Sequence, residues 1–395
     1  MLHKICLITN YNLYESKRYF IEKLDEAMRR HGIETTIIDA QQTALGSDTI
    51  AAIRRFNPDF TCSFNSFETM DGRYMWDYMQ IPHLSFLVDP SFYSTTLTNS
   101  PYSILSCVDR NDCEVIRSHG FENVFFLPHA VERELAPQKD VDRIYDVVFM
   151  GSCYDYESLR VSWQQRNSEA LNKVLDDAID LVLSNDTISV AQALVAAWNA
   201  SGLDPHGIDF VTLYYYLDNY TRGKDRVELI RSIKNARIHV FGEMAPDNAV
   251  GILNWPQYLA SQKNVTLHPS VPFGQGMDIL KQAKIVLNSM PFFRDGSHER
   301  IFTALACGAL PVTSESLYLH EQFQADEDLV FYQSARKNEV GARIDAWLGD
   351  EKKRQHVVEQ GRQKVLQHHT WDNRVQEIMR VVPTMIARIK KAEGL

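Results

Sequence analysis

Two long tracts of the chain alternate short, β-branched apolar runs with segments of helical period, and this alternation limits the fold more than any other feature. In the first tract the strand-like runs are KICLIT (4–9), IETTIIDA (33–40), DFTCSF (59–64), HLSFLVD (83–89), SILSCVD (103–109) and VFFLPHA (124–130). Helical segments stand between several of them: YESKRYFIEKLDEAMRRHG, which closes on basic residues and Gly32, then DTIAAIRRF and RNDCEVIRSHG. Such an order predicts a parallel sheet covered by helices on both faces, that is, a Rossmann-like domain over residues 1–138.

The pattern restarts at YDVVFMG (145–151). Residues 156 to about 235 then read as almost wholly helical, and alternation resumes with RIHVFG, NVTLHP, GMDILKQAK, IVLNSM, ERIFTALACG, ALPVTSE and DLVFY. We therefore expect a second Rossmann-like domain over 139–370, with a helical insertion at about 156–235. A closing helix, 371–395, is expected to pack back on the first domain. A chain of 395 residues is too long for one ordinary core, which agrees with two domains.

Composition narrows the function. With 45% hydrophobic and 23% charged residues and a net charge of −10, the chain has the profile of a soluble globular protein. It is a poor partner for bulk nucleic acid or an anionic membrane, although a local basic site for phosphate is compatible with that charge. No run of 18 apolar residues predicts a membrane span; a peripheral membrane contact stays open. The N-terminus reads as a first strand rather than a signal peptide. The six cysteines form no CxxC pair and read as buried thiols of a reducing cytoplasm.

The stretch DGSHERIFTALACGALPVTSES (295–316) invites a chemical reading. Ser297 is positioned as an N-cap, placing His298, Glu299 and Arg300 on the first turn of a helix that follows a parallel strand. That turn has unpaired N–H groups and the positive end of the helix dipole, which suits a phosphate. Arg300 adds a bidentate donor, and Glu299 can accept from a sugar or ribose diol. The competing reading is a capped core helix whose charged turn meets water. The first turn, TNYNLYESK, has no GxGxxG, so the dinucleotide fingerprint is missing where it would have to stand.

The string HERIFTALACGALPVT resembles the donor-site signature of two-Rossmann (GT-B) glycosyltransferases and is most similar to the spore-maturation CgeB-like group. FLVDPSF, GFENVFFLPHAVE, YDVVFMGS, RVELIRSI, IHVFG, LKQAKIVLN and HHTW agree with it in order. The resemblance implies sugar transfer from a nucleotide-sugar, UDP- or GDP-linked, bound by the second domain, with a glycan, protein or small-molecule acceptor on the first. It implies a diphosphate between Gly151–Ser152 and the helix starting near His298, and a base near Val271, Pro272 and Phe273. Thr303 falls among the implied substrate contacts. Asp295 and Thr303 stand where many retaining members carry two glutamates, so the sequence departs from that pattern.

No DxD string follows a strand, so helix dipole and Arg300 are expected to replace a metal, with no further cofactor. An inverting transfer needs a base. Asp89 and His129 end first-domain strands at the carboxyl edge and are the candidates; alternatively Asp89 forms a turn before Pro90, and His129 bonds backbone near the hinge. Arg222, Lys224 and Arg226 in YTRGKDR either reach the diphosphate or form a solvated face. Two other classes fit the same architecture: a sugar or nucleotide binding protein without chemistry, and a nucleotide-sugar epimerase.

Overall fold

The computed structural model describes all residues except 1, 11, 13, 41–45, 66–68, 70, 139–140, 243–254 and 395. Among the described residues it contains two six-stranded sheets, with every pairing parallel. The chain divides into two compact units. The first comprises Met1–Glu134, Pro272–Gly274 and Leu366–Leu395; the second comprises Leu135–Val271 and Gln275–Val365.

The first unit holds β1 (Lys4–Thr9), β2 (Glu34–Asp39), β3 (Phe60–Phe64), β4 (His83–Leu87), β5 (Ser103–Cys107) and β6 (Val124–Phe126) in the order β2-β1-β3-β4-β5-β6. The β3, β4 and β5 strands are buried along their whole length, as expected of a parallel sheet covered on both faces. The helix Ser16–Arg30 buries Phe20, Ile21, Leu24, Ala27 and Met28, a stripe at helical spacing that faces the core. The helix Trp371–Glu393 opens with a Thr370–Asn373 capping box and packs on Ser16–Arg30. Its Trp371 ring sits among Phe20, Phe64 and Phe86 at 5.8 to 6.0 Å between centroids. Burying an indole of this kind stabilises by about 4–6 kcal/mol. Asp372 accepts from both Nε and Nη2 of Arg30, and Arg374 donates to the carbonyls of Pro128 and His129.

The second unit holds β7 (Tyr145–Met150), β8 (Ile238–Phe241), β9 (Val265–His268), β10 (Ala283–Asn288), β11 (Leu310–Ser314) and β12 (Val330–Tyr332), ordered β12-β11-β10-β7-β8-β9. Four helices intervene between β7 and β8: Tyr156–Arg166, Glu169–Ser184, Val190–Ser201 and Phe210–Ser232. The last is the longest, and most of it is buried. All six cysteines are buried free thiols; burial pushes the Cys6 thiol up to about 12 and the Cys62 thiol higher still. No described helix is long and apolar enough to cross a membrane.

Candidate functional site

In the second sheet the strand order reverses between β7 and β10. Connections leaving these two strands run to opposite sides, which opens a crevice beyond their carboxyl ends, the usual ligand position in an open α/β sheet. β7 ends at Met150 and runs on into Gly151 and Ser152. The Gly151 amide donates to Phe241 O (2.9 Å), and its carbonyl accepts from Trp255 Nε1 (3.0 Å). Gly242 makes this crossing possible, since a Cβ there would lie 2.5 Å from Trp255 Nε1.

The Phe210–Ser232 helix presses on the same turn at Gly223, where a Cβ would come within 2.6 Å of the Tyr154 carbonyl. This close approach brings in two guanidinium groups one helical turn apart. Arg226 Nη1 donates to Ser152 O at 2.7 Å, and the guanidinium lies 5.3 Å from the Tyr154 ring centroid. Arg226 is 6% exposed. Its Nε is buried without a hydrogen-bond partner, and no described carboxylate forms an ion pair with it. Burial, and the neighbouring charge of Arg222, lower its pKa. Arg222 pairs with Asp218 at 2.7 Å and stacks 3.7 Å over the Phe292 ring. The solvated-face alternative therefore fails for both arginines, because Gly223 lets their helix sink onto the sheet. Lys224 alone is half-exposed, 3.9 Å from Glu228.

β10 supplies the other wall. Asn288 at its end is oriented by its amide, which donates to Thr313 Oγ1 (3.0 Å), while its Oδ1 accepts from Arg300 Nη1 (3.1 Å). Ser289 Oγ donates to Asp225 Oδ2 at 2.6 Å, and Lys337 Nζ bridges Asp225 and Glu228 at 2.9 and 2.8 Å. Burial alone would raise the Asp225 carboxyl; Lys337 and the Ser289 hydroxyl outweigh it and hold it below the carboxylate range. The residue next to Arg226 is thus locked to the strand end that faces Arg300.

The helix after β10 is Glu299–Ala306, and its cap is His298 rather than Ser297. Ser297 is fully buried one residue upstream, so the expected cap is displaced by one position. His298 Nδ1 lies 3.3 Å from the Arg300 amide and 2.7 Å from Glu299 Oε2. One ring nitrogen cannot accept from the amide and donate to the carboxylate together, so the cap and the Glu299 contact belong to alternative protonation states of Nδ1. Burial lowers the imidazole pKa, and Arg300 and Arg226 add to that against Glu299. Thr303, one turn beyond Glu299, is buried.

Val271 is half-buried and Pro272 exposed at the end of the loop after β9. Phe273 clusters with the first unit: its amide donates to Tyr14 O (2.8 Å), and its ring lies 5.0 and 5.1 Å from Tyr19 and Phe20. In the first unit, Asp89 is exposed just past β4 and accepts from Asn65 Nδ2 at 2.8 Å. Asn65 stands at the end of β3 with φ 57° and also accepts from the Val88 amide (2.9 Å). His129 lies three residues past β6 and is buried.

Sequence reasoning missed Asn288, Asp225 and Lys337. The first had a signal, a polar residue closing the apolar run IVLN; the other two form a pair 112 positions apart, beyond the reach of local pattern.

Residues 224–380 match a family described as glycosyl transferase-like. That glycosyl transferase-like segment carries Arg226, Asn288, Arg300 and Thr303, and thus most of the crevice just described. No curated protein sequence matches the chain. Among solved structures, a sucrose-phosphate synthase from Thermosynechococcus elongatus is similar at 10% identity, TM-score 0.59, covering 98% of this chain and 100% of that one. The Anabaena protein HepE in complex with UDP and glucose gives 10% identity and TM-score 0.55 over 97% and 100%. AviGT4, a glycosyltransferase involved in avilamycin A biosynthesis, gives 10% and 0.55 over 98% of each chain. The fold is the two-domain GT-B fold, as the alternating pattern and the resemblance led us to expect.

Proposed function

We propose that this chain is a glycosyltransferase that moves a sugar from a nucleoside-diphosphate sugar to an acceptor hydroxyl. The observation that carries this reading is Arg226: a buried guanidinium without an ion pair among the described residues, whose charge, like that of Arg300, acts on His298 at the start of the helix after β10. Burying an unpaired cation costs several kcal/mol, and a bound diphosphate completes the pairing. In transfer the same two arginines stabilise the charge that develops on the leaving diphosphate. Gly151, Ser152, Asn288, Ser297 and the His298–Glu299 turn frame the group, and Thr303 and Val271 lie beside it as further donor contacts.

HepE binds UDP and glucose, which favours a uridine-linked hexosyl or hexosaminyl donor. The motif strings favour the CgeB-like group and a cytoplasmic enzyme building a cell-surface glycan. Asp89, oriented by Asn65, is the base for an inverting route, with His129 the second candidate. The arginines and the helix terminus do the work of a metal.

A thermal-shift screen of UDP- and GDP-sugars with EDTA in excess tests this. Saturation at about 100 times Kd stabilises the folded state by about 2.7 kcal/mol, so one donor class should raise Tm clearly. No shift with any nucleotide-sugar removes the reading. A shift that appears only after magnesium or manganese is restored contradicts metal independence. Interconversion of the free donor sugar identifies an epimerase.

A further inference from the structure

The opposite edge of the second sheet carries a cavity that the transfer reaction does not use. It is open, holds about 700 Å³, and is lined by Arg231, Lys234, Arg237, Tyr258, Ser261, Gln262, Lys263 and Asn264. Arg237 directly precedes β8, and Lys263 and Asn264 directly precede β9. The cavity therefore lies at the amino ends of these strands, away from the carboxyl-edge crevice. Four of its lining residues are cationic and none is acidic, in a chain whose net charge is −10.

Two helices end here, and cations are favoured at helix C-termini, so that explanation is weighed first. The exposed carbonyls are already satisfied. Gln262 Nε2 donates to the carbonyls of Ile230 and Ile233 (both 3.0 Å), and Asn264 Nδ2 donates to those of Ile233 (3.0 Å) and Ala236 (2.7 Å). Arg231 donates from Nε and Nη2 to Tyr258 O at 3.2 and 2.7 Å. Lys234 and Lys263 take no part in this capping and form no ion pair with any described residue. Arg237 uses only Nε, toward Asp146 at 3.0 Å, and 71% of its side chain is exposed. Asp146 is itself shared with Lys284. The cap requirement thus consumes Gln262, Asn264 and one side of Arg231, and leaves a surplus of positive charge around one hollow. Like charges gathered so closely repel, a cost that an anion in the cavity reverses.

We propose that this cavity is a binding site for a phosphate group, separate from the donor site. A single carboxylate would leave much of the surplus charge unmatched. A phosphate carries nearly two negative charges and three acceptor oxygens, enough for Lys234, Lys263 and the open edge of Arg237, with the Ser261 hydroxyl beside them.

The test is equilibrium dialysis of the full chain against radiolabelled inorganic phosphate, comparing wild type, Arg226→Ala and the double variant Lys234→Glu/Lys263→Glu. Both lysines are exposed, so the double variant should keep its fold, which circular dichroism checks. The expected result is a class of phosphate site that Arg226→Ala retains and the double variant loses, with affinity down at least about tenfold. Equal affinity of the double variant and wild type overturns the proposal; so does a wild type whose phosphate binding is removed entirely by Arg226→Ala. Vesicles of phosphatidic acid, a phosphomonoester, in phosphatidylcholine then identify the source. Co-sedimentation that the double variant loses assigns the phosphate to a lipid headgroup, and phosphate binding without co-sedimentation assigns it to a soluble ester. Neither outcome depends on the donor reading, which stands or falls on nucleotide-sugar binding.

Discussion

The carboxyl edge of the second sheet and the interior of the first solve the burial of polar groups in different ways. On the strands of the first sheet the buried polar groups are neutral. His83 is enclosed, hydrogen-bonded to Thr61 Oγ1 (2.7 Å) and Ser63 Oγ (2.9 Å) and stacked 3.8 Å from Trp76, with Ser85 on the same strand and Ser103 and Ser106 on β5. Around β7 and β10 the buried groups include, beside neutral ones such as Asn288 and Ser289, a set of ions: Arg222, Arg226, Asp218, Asp225 and Lys337. A neutral group left short of a partner costs about 1–3 kcal/mol, whereas a buried ion costs several unless paired. Asp225 is paired and Arg226 is not. The difference fits the proposed function, in which an anionic ligand completes the pairing at the charged edge, while the first sheet uses hydroxyls and one imidazole for structure. Its candidate chemistry stays at the exposed edge, on Asp89.

The largest effect that would break this division is on turnover. Asp89→Asn keeps the shape and removes the base, so transfer should fall about 100- to 10,000-fold with donor affinity nearly intact, measured by steady-state kinetics beside calorimetric donor binding. Wild-type turnover in this variant would take the base away from Asp89 and leave His129→Gln as the next test. On the charged edge, Arg300→Ala should weaken nucleoside-diphosphate binding by about 1.5–3 kcal/mol, the scale of a charge-assisted hydrogen bond. Unchanged affinity in a folded Arg300→Ala protein would remove the helix start from the site.

The smallest effect is thermodynamic and sharpens the neutral half of the comparison. Burial lowers the His83 pKa to about 3, and His369 is likewise driven well down by burial and the Arg374 charge. The unfolded chain binds these protons near the ordinary histidine value of about 6.5, the folded chain only far below it. Stability is therefore full above about pH 6.5 and falls with acidification between about 6.5 and 3, by up to roughly 1.4 kcal/mol per pH unit for each such group. Denaturant titrations from pH 7 to 4 measure this, and His83→Gln should flatten the slope. A slope unaffected by that substitution would show that the imidazole is not what acid attacks first.

Every strand of both sheets coincides with an apolar run visible in the chain, because parallel strands buried on both faces demand continuous β-branched and aromatic residues. The long closing helix was equally legible as a segment, although Thr370, which caps it, was found only in the structure. Arg300 and Glu299 stood out because four polar residues before an apolar helix break an otherwise simple pattern. The cap itself was misplaced by one residue, since Ser and His can both fill the position and local sequence does not report which backbone turns first.

Local pattern alone thus determined two parallel sheets, their strands, the interposed helices and the charged helix start after β10. The tertiary structure decided everything that rests on distance along the chain. Whether Arg222 and Arg226 met water or the crevice depended on Gly223 fitting against Tyr154. The anchoring of Asp225 depended on Lys337, 112 residues away. Phe273 joined the rings of the first unit, and cations from the Phe210–Ser232 helix, the segment after it and the loop before β9 came to line one cavity. Each of these is a pairwise energy between distant residues, and such terms are set when the chain closes on itself, not by the periodicity of any one segment.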